Sequence, residues 1–138
     1  MFKMLLVGIG VAASAQGLPP IQDTGLATWY GDGNYHGNVR ADGEEFEPDA
    51  IGCAHRTIPL GTNVVVEARG SGNTIICPVN DRGPYAVDTE DGWCNKATED
   101  DCTGEPRAVL DLSRGAAREL WEVSEDERPP NGQVNIRY

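Results

Sequence analysis

The sequence predicts a mainly β protein, a small closed sheet with one short α-helix. Two observations carry this. The chain of 138 residues holds 17 Gly and 9 Pro, a turn-rich composition. Its apolar residues fall in short runs and alternations, with a single stretch of helical period. Six or so short strands and one helix in one chain of this length make a small barrel around one core.

Gly25 to Tyr30, GLATWY, is a first strand rich in β formers. Ala50 to His55 is a short apolar segment ending in histidine. Asn63 to Ala68, NVVVEA, has a β-branched centre. The turn RGSGN leads into the apolar run Thr74 to Val79, which reads as a returning buried strand. Ala86 to Arg107 is acidic, carries Trp93 between charges and reads as an inserted loop. Ser113 to Glu122 is the one convincing helix, capped by Ser113, with Leu112, Ala116, Ala117, Leu120 and Trp121 on one face. Val134 to Tyr138 alternates and closes the sheet.

Three regions follow. Residues 1–15 place one Lys before a short apolar run and then Ala13-Ser14-Ala15, the order of a secretory leader, expected to be cleaved after Ala15. Residues 16–24 read as a linker, and residues 25–138 as the barrel domain. The expected location is therefore secreted or periplasmic, with no stable membrane span once the leader is gone. A retained leader would instead fit a virion or envelope assembly. The net charge of −11 argues against nucleic acid as a partner, because an acidic surface repels phosphates.

Cys53, Cys77, Cys94 and Cys102 suit an exported chain with two disulfides. Three connectivities exist. Cys94 with Cys102, around a polar loop, and Cys53 with Cys77, between apolar stretches, are the favoured pairing. A metal site is disfavoured, because no C-x-x-C spacing occurs and neither histidine, His36 nor His55, has a partner at zinc-site spacing. No cofactor is expected.

The stretch VNDRGP, Val79 to Pro84, puts Asp81 and Arg82 where a strand breaks into a loop. There a sheet holds the backbone still while a side chain stays open to a ligand. Several blocks now resemble one family, that of the rare lipoprotein A (RlpA-like) domain. They are GLATWYG, HG followed by ADGEEF, CAHRTIPLGTNVVV, VNDRGPY and LDLSRGAAREL, in the family's order from Gly25 onward. The resemblance implies a double-psi β-barrel of six strands, a barrel also used by expansins and some endoglucanases. It implies peptidoglycan glycan strands as the partner and, in some members, lytic transglycosylase activity, a carbon–oxygen lyase reaction on polysaccharide. Other members only bind, and a wall-engaging structural role and a protease-inhibitor role are further alternatives, since fold alone does not settle activity. The insert Ala86 to Arg107 and the cysteines at 53 and 77 depart from the family's pattern. With no cysteine after the leader and no glycan-binding repeat, a bare domain is expected.

The resemblance also places the chemistry. Asp81 matches the family's catalytic aspartate, and His55 is implied to lie beside it, holding it by a hydrogen bond or binding sugar. A lytic transglycosylase can work with one carboxyl as acid and then base, because the muramic 6-hydroxyl attacks within the same sugar. Such an acid must hold its proton near neutral pH, so Arg82 is expected to point away from Asp81. Asp111 is read as compensating the following helix. Tyr30, Tyr35 and Tyr85, beside glycine-rich loops, together with Arg82 and Glu44, are the candidate sugar-binding residues. Trp29 and Tyr30 alternate on a strand, so Trp29 is assigned to the core and Tyr30 to the groove.

Overall fold

The computed structural model describes residues 17–32, 38–90, 92–96 and 102–138. The expected leader, Tyr35 and His36 lie outside them. Among the described residues, eight strands and one helix follow in order: β1 (Asp23–Tyr30), β2 (Cys53–Ala54), β3 (Asn63–Ala68), β4 (Thr74–Asp81), β5 (Ala86–Thr89), β6 (Gly92–Asn95), β7 (Leu110–Ser113), α1 (Arg114–Trp121) and β8 (Gly132–Arg137). Six strands close a barrel in the order β1-β7-β2-β4-β3-β8. The pairs β1/β7 and β2/β4 run parallel, the other four antiparallel. This is the six-stranded barrel with one helix that the sequence predicts. β1 starts two residues early: Asp23 and Thr24, expected in the linker, pair with Ile136 and Asn135 of β8.

Alternation builds the core. Val64, Val66 and Ala68 of β3, Ile75, Cys77 and Val79 of β4, and Val134 and Ile136 of β8 are buried, while their neighbours face outward. α1 covers one side with Ala116, Ala117 and Leu120. Ser113 caps it as expected, its hydroxyl accepting from Ala116 N–H at 3.2 Å. Leu112 is not on the helix face. It lies in β7, buried with Leu110, because L-D-L-S runs as a strand up to the cap.

Two further expectations change. The insert is a hairpin, not a loop: β5 and β6 pair antiparallel and Val87 is buried. Cys94 and Cys102 form the expected disulfide. The ends of the insert are tied down by Arg56, whose Nη1 donates to the carbonyls of Pro84 at 2.7 Å and Ala108 at 3.2 Å. The expected Cys53–Cys77 disulfide is absent, and both are buried free thiols. Register explains it. Cys53 lies opposite Val79, two residues along β4 from Cys77, and its Sγ contacts the carbonyls of Cys77 and Pro78, each at 3.6 Å. The contact with Cys53, and then burial, push the Cys77 thiol far above the ordinary thiol range.

Candidate active site

The outward faces of β1, β7, β2 and β4 meet at one cavity of about 250 Å³. Tyr30, Asn38, Val39, Phe46, Ala54, Asp81, Arg82 and Asp111 line it. Strand alternation delivers the pieces. On β1, Ala27 is buried and Trp29 packs against the core, which turns Thr28 and Tyr30 outward. On β7 the burial of Leu110 and Leu112 turns Asp111 outward, level with Thr28 across the parallel pair. On β2, Ala54 is the register partner of Asp111 on one side and of Asp81 on the other. A bulge makes this so, since the register shifts between Cys53 and Ala54 and skips Asn80. Asn80 lies over Gly52, where a Cβ would meet its amide nitrogen at 2.4 Å. The site thus sets two carboxyl groups on the strands flanking one small residue.

Each carboxyl has its own surroundings. Asp81 accepts from Ala41 N–H at 2.9 Å, its neighbour Arg82 N–H at 2.9 Å and the Tyr30 hydroxyl at 3.3 Å. Asp111, half-buried, accepts from the Thr28 hydroxyl at 3.1 Å. Burial foremost, and the Asp81 charge besides, push the Asp111 carboxyl up to about 7, against the pull of the Thr28 hydrogen bond. Burial, and then the charges of Asp81 and Asp111, raise the Tyr30 phenol well above its usual range, so it stays a donor. The Tyr30 ring stacks on Phe46, centroids 4.8 Å apart and planes 14° from parallel.

Of the residues expected from sequence, Asp81, Tyr30 and Arg82 line this cavity. Arg82 does point away from Asp81. Its Nη1 donates to the carbonyls of His55 at 3.1 Å and Ile58 at 2.6 Å, and no ion pair joins it to Asp81 among the described residues. His55 stands beside Asp81 through the backbone, its N–H donating to the Asp81 carbonyl at 3.2 Å. Its imidazole does not hold the Asp81 carboxylate as expected. It is turned into its own turn, where Nδ1 accepts from Thr57 N–H at 3.1 Å and Ile58 N–H at 3.0 Å. Glu44 is exposed and does not line the cavity, nor does half-buried Tyr85.

Asp111 is the residue that sequence reasoning misplaced. It is not the helix's compensating charge, because Ser113 does the capping and Asp111 lies in the strand before it. The alternation of L-D-L-S was the available signal: with both leucines inward, the aspartate between them must face the other way. No group of three or more His, Cys, Asp and Glu side chains that could hold a metal occurs among the described residues.

A family model described as lytic transglycolase matches residues 22–138. Among curated proteins, the probable endolytic peptidoglycan transglycosylase RlpA of Synechocystis sp. is 40% identical over 96 residues, covering 70% of this chain and 24% of that one. The protein of the same description from Nostoc sp. is 34% identical, covering 80% of this chain and 25% of that one. The endolytic peptidoglycan transglycosylase RlpA of Rickettsia bellii is 40% identical over 118 residues, covering 84% and 42%. The chain thus spans about a quarter of the first two relatives and under half of the third. A solved structure, the Streptomyces papain inhibitor, aligns at 24% identity with a TM-score of 0.46, covering 86% of this chain and 97% of that one. On the family match from residue 22 to residue 138, the chain belongs to the lytic transglycolase family, with the RlpA-type barrel domains.

Proposed function

We propose that the domain cleaves the glycan strand of peptidoglycan as a lytic transglycosylase, leaving 1,6-anhydro-muramic ends. The observation that carries this reading is the pair Asp81 and Asp111 on either side of Ala54, in unequal surroundings. A carboxyl kept protonated by burial, beside one surrounded by hydrogen-bond donors, divides acid from base work. Asp111 keeps its proton to about pH 7, so it is the acid. Asp81, met by three donors, is the acceptor. The single acid–base carboxyl expected from sequence thereby becomes a pair.

In the reaction, the bond from muramic C1 to the glycosidic oxygen breaks, and that oxygen takes the Asp111 proton. The 6-hydroxyl oxygen of the same sugar bonds to C1, and its proton passes to Asp81. The attack is intramolecular, so the site need only orient one sugar and exclude competing water. The Tyr30–Phe46 stack supplies an aromatic wall for a sugar face. Arg82 brings a cation to the rim, suited to the carboxylates of muramic acid substituents.

The relatives' names, endolytic peptidoglycan transglycosylase, support the substrate and the reaction type. Wall glycan as the substrate supports a location outside the cytoplasm, in the periplasm or beyond. The test is mass spectrometry of products from intact and peptide-stripped glycan. New 1,6-anhydro ends that vanish in Asp81→Asn and in Asp111→Asn are expected. Binding to glycan without new ends would replace the enzyme by a binding module.

A further inference from the structure

We propose that His55 is a positioning residue: its Nδ1 holds the turn 55–58 closed, and that turn keeps the Arg82 guanidinium away from Asp81. This rests on the reading of Asp81 as the working acceptor. The geometry forms a chain of contacts. Nδ1 takes two converging donors, the N–H groups of Thr57 and Ile58. Closing the turn brings the carbonyls of His55 and Ile58 to one point, and both accept from Arg82 Nη1. Ile58 is buried to 2% exposure and anchors the turn from the other side.

Arg82 is the residue next to Asp81, and its backbone N–H already donates to Asp81 Oδ1. Were the two carbonyls to part, its released side chain would share the cavity with the Asp81 carboxylate, since both residues line it. A guanidinium on that carboxylate would take the lone pairs that the 6-hydroxyl proton needs. The imidazole suits the task. Burial first, and then the charges of Arg56 and Arg82, lower its pKa, with Asp23 opposing, so it stays neutral and offers an acceptor nitrogen. A protonated ring would present a third N–H to two others and open the turn.

The two amide variants separate this from imidazole chemistry. Asn places its Oδ1 where Nδ1 stands and can accept the same two N–H groups. Gln reaches only to the position of Nε2. We expect His55→Asn to keep glycan cleavage within about threefold of wild type, and His55→Gln to lose about tenfold or more in kcat. The Gln loss should shrink to under about threefold in an Arg82→Gln background, because no guanidinium remains to fall on Asp81.

A second readout needs no activity. In amide NMR, the Thr57 and Ile58 signals of the Asn variant should stay near their wild-type positions, and those of the Gln variant should move. Equal loss of activity in both variants, with these amides unmoved, would overturn the proposal and give the imidazole a direct role. If wild type itself released no anhydro ends, the enzyme reading would fail, while the amide signals would still decide how the turn is held.

Discussion

Tyr30 donates its phenolic proton to Asp81 across 3.3 Å while its ring lies flat on Phe46. One side chain therefore does two things, orienting a carboxylate and forming a wall. Tyr30→Phe separates them. It keeps the stack and deletes one hydrogen bond to a charged acceptor, worth about 1.5–3 kcal/mol. The expected result is a fall in kcat of about tenfold or more with KM little changed, and a melting temperature within a few degrees of wild type. Glycan turnover and calorimetry check it, and an unchanged kcat would mean that Asp81 is oriented by its two backbone donors alone.

Ala54 forms the floor between the two aspartates, 2% exposed and in register with both. Ala54→Val adds two methyl groups there. Overpacking of this kind costs about 1–3 kcal/mol, and the extra volume intrudes on the space a sugar oxygen must enter. Activity should fall by more than the loss of stability accounts for, whereas Ala54→Gly should keep it. Parallel turnover and thermal-melt measurements decide, and a Val variant that cleaves at the wild-type rate would remove Ala54 from the site.

Asp111 gives a stability signature of defined sign. Its carboxyl rises from the ordinary 3.8 of an aspartate to about 7 in the fold. Between those values the folded chain binds more protons than the unfolded one, so wild-type stability falls as pH rises through this window. Asp111→Asn is neutral throughout and can still accept from Thr28. It should match wild type below pH 4 and be more stable at pH 8 by roughly 2 kcal/mol, allowing for partial exposure. Activity should be lost at every pH. Melting curves across the range check the sign, and a variant less stable than wild type at pH 8 would show that the fold favours the charged carboxyl of Asp111 instead of pushing its pKa up.

The sequence made the long strands visible and the short ones invisible, for a physical reason. β3, β4 and β8 alternate over six to eight residues, long enough for period two to stand out. β2 has two residues and β7 four, running directly into α1, so Asp111 reads as a helix-end charge. Asp81 and Arg82 were legible because N-D-R-G-P breaks a strand visibly. Phe46 and Asn38 reach the cavity from a loop, and only tertiary folding decides that. The thiol pairing depended on the register that sets Cys53 opposite Val79, two residues from Cys77, and that register has no signature in composition. The resemblance implied that His55 lies beside Asp81, and the two meet through a backbone hydrogen bond. Where its ring turned depended on two N–H groups in the following turn.

Gly115 offers a case where helix propensity and packing give opposite signs. In the first turn of α1, Gly→Ala should stabilise by about 1 kcal/mol on propensity alone. A Cβ there, however, would stand 2.2 Å from the Asp49 carbonyl oxygen and 2.5 Å from its carbon. The loop cannot retreat freely. Gly115 N–H donates to the Pro48 carbonyl at 2.8 Å, Arg114 grips Asp49 through Nε at 2.9 Å and Nη2 at 3.0 Å, and Arg118 adds a contact at 3.3 Å. Packing should win, and Gly115→Ala should cost about 1–3 kcal/mol net. The same loop carries Phe46, so lifting it should also draw that ring off Tyr30. Loss of stability together with a rise in KM for glycan is therefore expected. A Gly115→Ala variant that melts at or above the wild-type temperature would show that the loop gives way and that its ion pairs do not hold it.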